Sequence, residues 1–257
     1  MKTHIRRIYN NYFMTRNLLL MASLLVSIST MAQLNVQLHY DLGHDLYGSQ
    51  LSNRPRLTAT VENFTPDKWG STFFFIDADF GDNMVQSAYG EISREFRFWE
   101  APFAAHIELD GGLNGKSGSF DNAYLIGPAW NWHNKDFSRT FSVQLMYKYL
   151  SHRERHGGTN HSAQLTGVWG LQLAKGLLTF SGFCDLWYDK GVNGHLILLS
   201  EPQFWVNLWK LPRINDNAKW SVGTEWEISN NFVWPTDGLN NRFYFIPTIA
   251  MKWTFGN

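Results

Sequence analysis

The stretch FYFIPTIAMKWTF, residues 243–255, alternates between two kinds of side chain. Every second residue from Phe243 to Phe255 is apolar or aromatic, and the residues between them are on average smaller and more polar. Because successive side chains of a strand point to opposite faces, the stretch predicts a long strand with one apolar face. The strand is long enough to cross a bilayer, for which a tilted strand needs about 9–11 residues.

This final strand resembles the last strand and assembly signal of an outer-membrane β-barrel. It departs from that pattern in one respect, because Gly256 and Asn257 follow the near-terminal aromatic Phe255. A backbone that crosses lipid must satisfy its amide groups internally, and a closed barrel of strands does so. The rest of the chain must therefore supply the other strands.

The N-terminal residues have the organisation of a secretory signal. Basic residues precede a short apolar run at residues 18–28, and the segment STMA follows at residues 29–32. The apolar run is too short for a transmembrane helix. We therefore predict a cleaved signal peptide over residues 1–32, with Met14 as an alternative start, and one mature domain over residues 33–257.

The composition excludes several classes of protein. The chain has 257 residues and no net formal charge, which argues against a nucleic-acid-binding protein. Aromatic residues make up 16% of the chain and include 12 Trp, as expected for strands with aromatic belts at two membrane interfaces. The one cysteine, Cys184, excludes an intramolecular disulfide and a multi-cysteine metal site, and we interpret it as a small apolar strand residue.

Alternation and turn residues divide the mature chain into twelve predicted strands. They cover residues 34–42, 56–64, 69–80, 89–98, 103–110, 120–132, 138–150, 161–173, 177–188, 195–209, 219–228 and 243–255. Short connections alternate with long ones rich in Gly, Asn and Asp, the long ones being residues 43–55, 81–88, 111–119, 151–160 and 229–242. That alternation is typical of the periplasmic turns and external loops of a membrane barrel. An even number of strands also places both termini on one side of the membrane.

Tryptophan residues lie near the predicted strand ends, where aromatic belts sit. They are Trp69, Trp99, Trp132, Trp169, Trp187, Trp209 and Trp253. The alternative is a soluble β-sandwich with these rings in its core, but a sandwich needs no final strand like residues 243–255. The predicted fold is therefore an all-β, antiparallel, up-and-down transmembrane barrel of about 12 strands.

If the aliphatic face of each strand meets lipid, the opposite faces line a lumen rich in carboxylates. The predicted inward acids are Asp77, Asp79, Glu91, Glu95, Glu108, Asp110, Glu201, Glu225 and Glu227, and the predicted inward bases are Arg56, Lys148 and Lys252. Phe73 and Phe75 share the acidic face of the third strand, although the inward face of the third and sixth strands stays open because the pattern is ambiguous there. Arg94 falls on the lipid face, an unfavourable position.

Such a lumen has two interpretations. An acidic ring favours cations over anions, and aromatic faces beside carboxylates can hold a flat, hydroxylated solute such as a nucleoside. The alternative is a lumen filled with paired side chains that only hold the wall together.

The segments WGSTFFFIDADF at residues 69–80 and GEISREF at residues 90–96 resemble the early strands of the nucleoside-specific channel-forming porins, the Tsx-like family. The segments LSEPQFW at 199–205 and VGTEWE at 222–227, with the final strand, resemble an uncharacterised outer-membrane β-barrel family related to it. The resemblance implies a monomeric twelve-stranded barrel for nucleoside diffusion. It also implies that Phe75, Asp77 and Glu91 contact the solute.

Catalytic patterns are weak in this sequence. His161 and Ser162 are adjacent in a predicted strand and therefore point to opposite faces, which excludes a nucleophile–base pair. The segment HRERH at residues 152–156 has two histidines four apart, but the following glycines indicate a solvated loop rather than a metal site. We therefore expect no enzymatic activity, no cofactor and no metal.

The sequence thus predicts an outer-membrane channel, in a Gram-negative type of bacterium, for passive diffusion of small polar solutes including nucleosides. The alternative is a non-conducting structural or adhesion barrel that acts through its external loops, and an outer-membrane barrel enzyme ranks below both. The expected partners are outer-membrane lipid, the solute and the barrel-assembly machinery at the C-terminal strand, with no nucleic acid polymer and a monomeric state. The predicted solute contacts are Phe73, Phe75, Asp77, Glu91, Glu95, Glu201, Trp205 and Glu225.

Overall fold

Within the part of the chain that the structure describes, twelve antiparallel strands close into a barrel in a computed structural model. The described residues are 33–81, 84–115, 118–212, 214, 218–238 and 241–255, so the predicted signal peptide lies outside them. The strands are β1 (Gln33–Asp41), β2 (Leu57–Asp67), β3 (Gly70–Gly81), β4 (Met84–Phe96), β5 (Phe103–Asn114), β6 (Ala123–His133), β7 (Arg139–Leu150), β8 (His161–Leu173), β9 (Leu178–Tyr188), β10 (Leu196–Ser200 and Gln203–Asn207), β11 (Lys219–Asn230) and β12 (Phe243–Thr254). A two-residue strand, Gly118–Ser119, also pairs with β5.

Each strand pairs with its neighbours along the chain, and the last strand closes the ring on the first. Asn35 of β1 lies opposite Thr254 of β12, and Asp41 lies opposite Thr248. Closure leaves no unpaired sheet edge, which is the condition for a strand to cross lipid. The predicted up-and-down barrel is confirmed.

The tenth strand contains a proline and is interrupted there. Pro202 has no N–H to donate, so the regular strand pattern is interrupted between Ser200 and Gln203, although the Glu201 N–H still donates to the Phe183 carbonyl. The register is nevertheless the same on both sides, with Ser200 opposite Cys184 and Gln203 opposite Ser181. The two segments are therefore one strand of the barrel wall.

Two predicted loops are mostly strand in their described residues. In the predicted loop 111–119, β5 extends through Asn114 and Gly118–Ser119 pairs with it. Residues 84–88 belong to β4 and pair with β3, with a register shift between Asp79 and Phe80. The polar composition of residues 81–88 indicated a loop, but ladder hydrogen bonds use only the backbone and do not require apolar side chains. The prediction of a loop over residues 81–88 was therefore wrong.

The barrel is apolar outside and polar inside. On β1, Asn35, Gln37, His39 and Asp41 are at most 6% exposed, whereas Leu38 on the other face is 41% exposed. The outward face of β12 follows the same rule, because its alternate residues from Phe243 to Trp253 are exposed and those between them are largely buried. This inversion of the usual soluble pattern is the one expected of a barrel surrounded by lipid.

Short helices occupy the connections. The helix α1 (Gly43–Tyr47) continues into a 3-10 helix (Gly48–Leu51), and three further 3-10 helices lie at Arg153–His156, Ala174–Gly176 and Leu208–Lys210. No helix among the described residues has the length and apolar character needed to cross a membrane. We call the end of the barrel that carries residues 42–56 the loop end, and the end that carries Gln33 and Thr254 the turn end.

Several of the tryptophans form an outward belt, as predicted, but one does not. Trp69, Trp99 and Trp132 are about half exposed at the turn end, and Trp253 stacks on Trp220 with ring centroids 5.4 Å apart. Trp187 instead lies on the lumen face of β9 and is 9% exposed. Its position near a strand end predicted a belt residue, but it shares the inward face of that strand with Asp185.

Candidate functional site: the lumen

Hydrogen bonds between β2 and β3 show which face of the third strand is inward. Thr58 and Thr60 share a face of β2 with Glu62, whose carboxylate accepts a bond from the buried lumen residue Asn35. Thr60 Oγ1 donates to Asp77 at 2.5 Å, and Thr58 Oγ1 donates to Asp79 at 2.7 Å. The acidic face of β3, which also carries Phe73 and Phe75, is therefore inward.

The sixth strand presents small and apolar side chains to the lumen. Leu125 and Ala129 are buried, whereas Tyr124 and Ile126 on the other face are about half exposed. Leu125 packs in one cluster with Met146 of β7. The wall is thus not uniformly polar, which the mixed sequence of this strand left open.

One wall of the lumen is built around Trp205. Its side chain is fully buried, and its Nε1 donates to Oε1 of Gln203 at 2.9 Å. Gln203 Nε2 in turn donates to Glu225 at 2.6 Å. The Lys252 ammonium lies 4.0 Å from the indole ring centroid, and the His39 ring meets the indole edge-on at 6.0 Å. These contacts connect inward side chains of β1, β10, β11 and β12 into one packed wall.

The facing wall carries carboxylates on β4 and β5. Glu91 lies opposite Asp110 in the register, and one carboxylate oxygen from each of Glu91, Glu108 and Asp110 falls within 4.8 Å of the others. The Tyr89 hydroxyl donates to Glu91 Oε1 at 2.9 Å, and His106 Nε2 lies 3.2 Å from Glu108 Oε2. The sequence placed these acids on the inward face. Their convergence depends on the β4–β5 register, which the alternation pattern does not contain.

Glu201 is a further inward carboxyl of β10. It is the residue before Pro202 in the interrupted strand, and it interacts electrostatically with Glu225 and Glu227 as well as with Asp77 and Glu91. Glu95 lies toward the turn end, where its Oε2 accepts a bond from Asn131 Nδ2 at 2.7 Å. All eight predicted contact residues thus lie on inward faces, and their role as solute contacts stays a prediction.

The inward bases differ from the predicted set at one position. Lys148 donates to Gln164 Oε1 at 2.6 Å and lies 4.5 Å from the Trp187 ring centroid, so it is in the lumen together with Lys252. Arg56 is not, because it donates to the hydroxyl of the outward-facing Tyr40 and its side chain is 46% exposed. Arg56 lies just outside β2, where strand alternation no longer decides orientation, so that prediction was wrong.

Arg94 is outward-facing, as its position in the strand predicted, and it is neutralised there. Its guanidinium donates to both oxygens of Asp67, at 2.7 and 2.9 Å, and to Thr72. Because these partners lie at the turn end of the barrel, the charge sits near the membrane boundary rather than in its apolar centre. A paired arginine at that depth carries a much smaller cost than one at the midplane.

The segment of residues 42–56 folds into the mouth at the loop end. Leu51 is fully buried against Tyr244 and Ile246 on the inner face of β12. Arg54 Nε donates to Asp41 at 2.7 Å, and Arg54 Nη2 donates to Glu227 at 2.6 Å. Leu51 and Arg54 hold the segment inside the mouth. The sequence analysis identified neither residue, because the side chains of a loop follow no repeating pattern.

Other connections pack beside this segment. The Thr236 backbone N–H donates to the Gln50 carbonyl at 2.9 Å, so residues 231–242 are tied to residues 42–56. Phe232 turns inward and meets Trp187 edge-on at 6.2 Å, whereas Trp234 is 58% exposed. The apolar loop residues therefore divide between a constriction and the outer surface.

The weak catalytic patterns do not assemble a site. His161 contacts the Tyr147 hydroxyl at 2.6 Å on the outer face, and Ser162 Oγ donates to the Tyr188 carbonyl. Residues 152–156 form a surface turn, in which Arg153 Nε donates to Asp189 at 2.6 Å. The one group of three or more metal-ligating side chains found among the described residues is the lumen triad Glu91, Glu108 and Asp110.

Comparison with known proteins supports the fold and leaves the substrate open. The family model described as "Domain of unknown function (DUF5020)" matches residues 32–255. The NanC porin in a rhombohedral crystal form has a TM-score of 0.54 with 9% identity, covering 86% of this chain and 100% of that one. The KdgM porin has a TM-score of 0.46 with 11% identity, covering 87% and 99%, and its complex with disordered oligogalacturonate has a TM-score of 0.45 with 10% identity over the same shares. No curated protein matches the sequence.

Proposed function

We propose that this chain, which belongs to the DUF5020 family, is an outer-membrane channel for the passive diffusion of small polar solutes. The observation that carries the proposal is the excess of carboxylates over bases in the lumen. The inward acids include Glu62, Asp77, Asp79, Glu91, Glu95, Glu108, Asp110, Asp185, Glu201, Glu225 and Glu227. Charged side chains are costly to keep inside a barrel unless water or a solute reaches them, and an acidic lining favours cationic and neutral solutes over anions.

Residence in the outer membrane is supported by the apolar outer face and by the predicted export signal. Ile249, near the middle of β12, is 65% exposed on that face. A porin-like fold is consistent with this location. We expect the barrel-assembly machinery to act on β12 and the barrel to be a monomer. Each described strand finds both of its partners within the chain, so no edge of these strands is left to pair with a second copy.

The charge preference of the channel is the direct test of this proposal. We expect the wild-type protein in a planar bilayer, under a potassium chloride gradient, to show a reversal potential of the sign that reports cation preference. Replacing Glu62 and Glu95 together by glutamine removes two inward carboxylates, and we expect the permeability ratio of K⁺ to Cl⁻ to fall roughly threefold.

The matched control is Glu100→Gln, which removes the same charge from an exposed position at the turn end. It is expected to leave the ratio unchanged. Anion preference in the wild type, or an equal change in the control, would contradict the proposal.

An aromatic ladder beside the acids supports nucleosides as one solute class. The rings of Phe73 and Phe75 lie 6.2 Å apart, and those of Phe75 and Tyr89 lie 6.1 Å apart. Asp77 and Glu91 flank Phe75 along β3 and across to β4. Bases stack on aromatic side chains at a gain of about 1–3 kcal/mol each, and ribose hydroxyls can donate to carboxylates. This combination suits a flat base joined to a hydroxylated ring.

Liposomes carrying the refolded protein test this substrate class. We expect nucleosides to enter faster than sugars of similar size, and Phe75→Ala to reduce that advantage roughly fivefold through loss of stacking. Phe74→Ala is the control, because it removes the same ring from the adjacent outward position. Equal entry of both solutes would indicate a general pore. Entry of neither would favour a closed barrel that acts through its external loops, where Trp234 is exposed.

A further inference from the structure

The three carboxylates on β4 and β5 are unusual in how their oxygen atoms are used. Glu91 Oε1 accepts the Tyr89 hydroxyl, and Glu108 Oε2 faces His106 Nε2. Each of these bonds uses one carboxylate oxygen. The second oxygen of Glu91 and the second oxygen of Glu108 take no part in them. Ligand oxygens of Glu91, Glu108 and Asp110 lie within 4.8 Å of one another. Carboxylates this close repel each other strongly unless a proton or a cation lies between them.

Asp110 supplies a separate observation. It is 95% buried, since its exposed fraction is 5%, and its Oδ1 atom has no hydrogen-bond partner among the described residues. A buried oxygen without a donor costs about 1–3 kcal/mol, and more when the group is charged. A bound cation would satisfy this oxygen and the repulsion at the same time.

We propose that Glu91, Glu108 and Asp110 form a calcium-binding site in the wall of the lumen. Ca²⁺ takes oxygen ligands at about 2.3–2.6 Å in flexible geometry, so three oxygens that all lie within 4.8 Å of one another can share one ion. Mg²⁺ requires near-ideal octahedral geometry, a stricter demand on carboxylates whose positions are set by strand register, so we assign the site to calcium. Water from the lumen can complete the shell, because Glu91 and Glu108 are not fully buried, the Glu108 side chain being 13% exposed.

Of the two described bases near the site, Lys148 is held by residues outside the triad, and His106 lies between Glu108 and Glu95. Lys148 interacts electrostatically with Asp110, but its Nζ donates to Gln164 and lies over the Trp187 ring. His106 lies 3.2 Å from Glu108 on one side and 3.6 Å from Glu95 on the other. Asp185 also lies within electrostatic reach of Glu91, and its Oδ1 accepts the Thr166 hydroxyl at 2.6 Å. The triad therefore holds the oxygens best placed for an ion, and this site goes beyond conduction because it can bind calcium in an open or a closed barrel.

Calcium binding to the purified, chelator-treated barrel in detergent tests the proposal. We expect isothermal titration to give one calcium site per chain, and we expect terbium to occupy it and to luminesce on excitation of the adjacent Tyr89. Asp110→Asn and Glu91→Gln should each weaken calcium binding roughly tenfold or more, since affinity follows the number of charged ligands. Calcium should also raise the thermal unfolding temperature of the wild type and not that of Asp110→Asn.

The matched control is Asp79→Asn, another inward aspartate, whose oxygens accept bonds from Thr58 and Ser87. It should bind calcium as the wild type does. The proposal is overturned if the wild type binds no calcium while its circular dichroism shows a folded barrel, or if Asp79→Asn weakens binding as much as Asp110→Asn does. The second result would mean that calcium only screens the acidic lumen as a whole.

Discussion

Replacing Trp205 by alanine should raise the single-channel conductance severalfold and lower the free energy of unfolding by about 3–5 kcal/mol. The side chain is fully buried in the lumen, and its interactions extend to three other strands. It is linked to Glu225 indirectly, through Gln203. Removing it leaves a cavity on one side of the pathway and deprives Lys252 of the ring over which its ammonium lies. A wider lumen passes more ions, and a cavity in a packed wall destabilises the barrel.

Conductance in planar bilayers and urea unfolding in lipid vesicles measure the two effects. Trp220→Ala is the control, because Trp220 is an outward ring stacked on Trp253. That variant should lose some stability and keep the wild-type conductance. If Trp205→Ala conducts no better than the wild type, Trp205 does not limit the pathway, and the constriction lies elsewhere, as at the mouth.

Replacing Arg54 by alanine should release residues 42–56 from the mouth. The guanidinium bridges Asp41 and Glu227, whose side chains are 8% and 10% exposed, so its loss leaves two nearly buried carboxylates without their cation. Removing one partner of a buried ion pair costs about 3–5 kcal/mol, and the 24% exposure of Arg54 places this case toward the lower end. The backbone bond from residue 54 to the Leu51 carbonyl is kept in this variant, but without the guanidinium only the packing of Leu51 holds the segment against Ile246.

Limited proteolysis with chymotrypsin, which cuts after Tyr47 and Leu51, reports the release directly. We expect cleavage roughly tenfold faster in Arg54→Ala than in the wild type, since cleavage follows the population of the opened segment. Arg56→Ala is a matched control two residues away, because its side chain is 46% exposed and contacts Tyr40 and Asp45 at the surface. Equal protection of all three proteins would show that apolar packing of Leu51 holds the segment without the arginine.

Strand alternation predicted most of the wall because it reports a property that each strand carries by itself. The pattern of β12, the length of β8 and the inward position of Trp205 all follow from it. The alternation pattern does not predict features that depend on the register between neighbouring strands. The convergence of Glu91 and Asp110 is set by register, and so is the extension of β4 into residues 84–88.

Two other errors have a similar origin. Trp187 was assigned to the outer belt because it lies near a strand end. It lies two residues from the inward Asp185 in the same strand, and residues two apart point to the same face. Arg54 and Leu51 lie in a connection, where the chain has no repeating geometry, so no pattern distinguished them from solvated loop residues. The general character of the lumen was therefore predictable, whereas its individual contacts were not.

The pairing of β1 with β12 has a consequence for how the chain matures. Contacts between residues 34–51 and the last strand occur at every depth of the wall, from Leu34, whose carbonyl accepts the Phe255 amide, through His39 and Thr248 to Leu51 and Ile246 at the mouth. A polypeptide released before its last strand is made would leave the buried polar row of β1 without partners and the mouth unfilled. The fold thereby distinguishes complete from truncated chains by itself, since the first strand has its full set of contacts only after the last one has been synthesised.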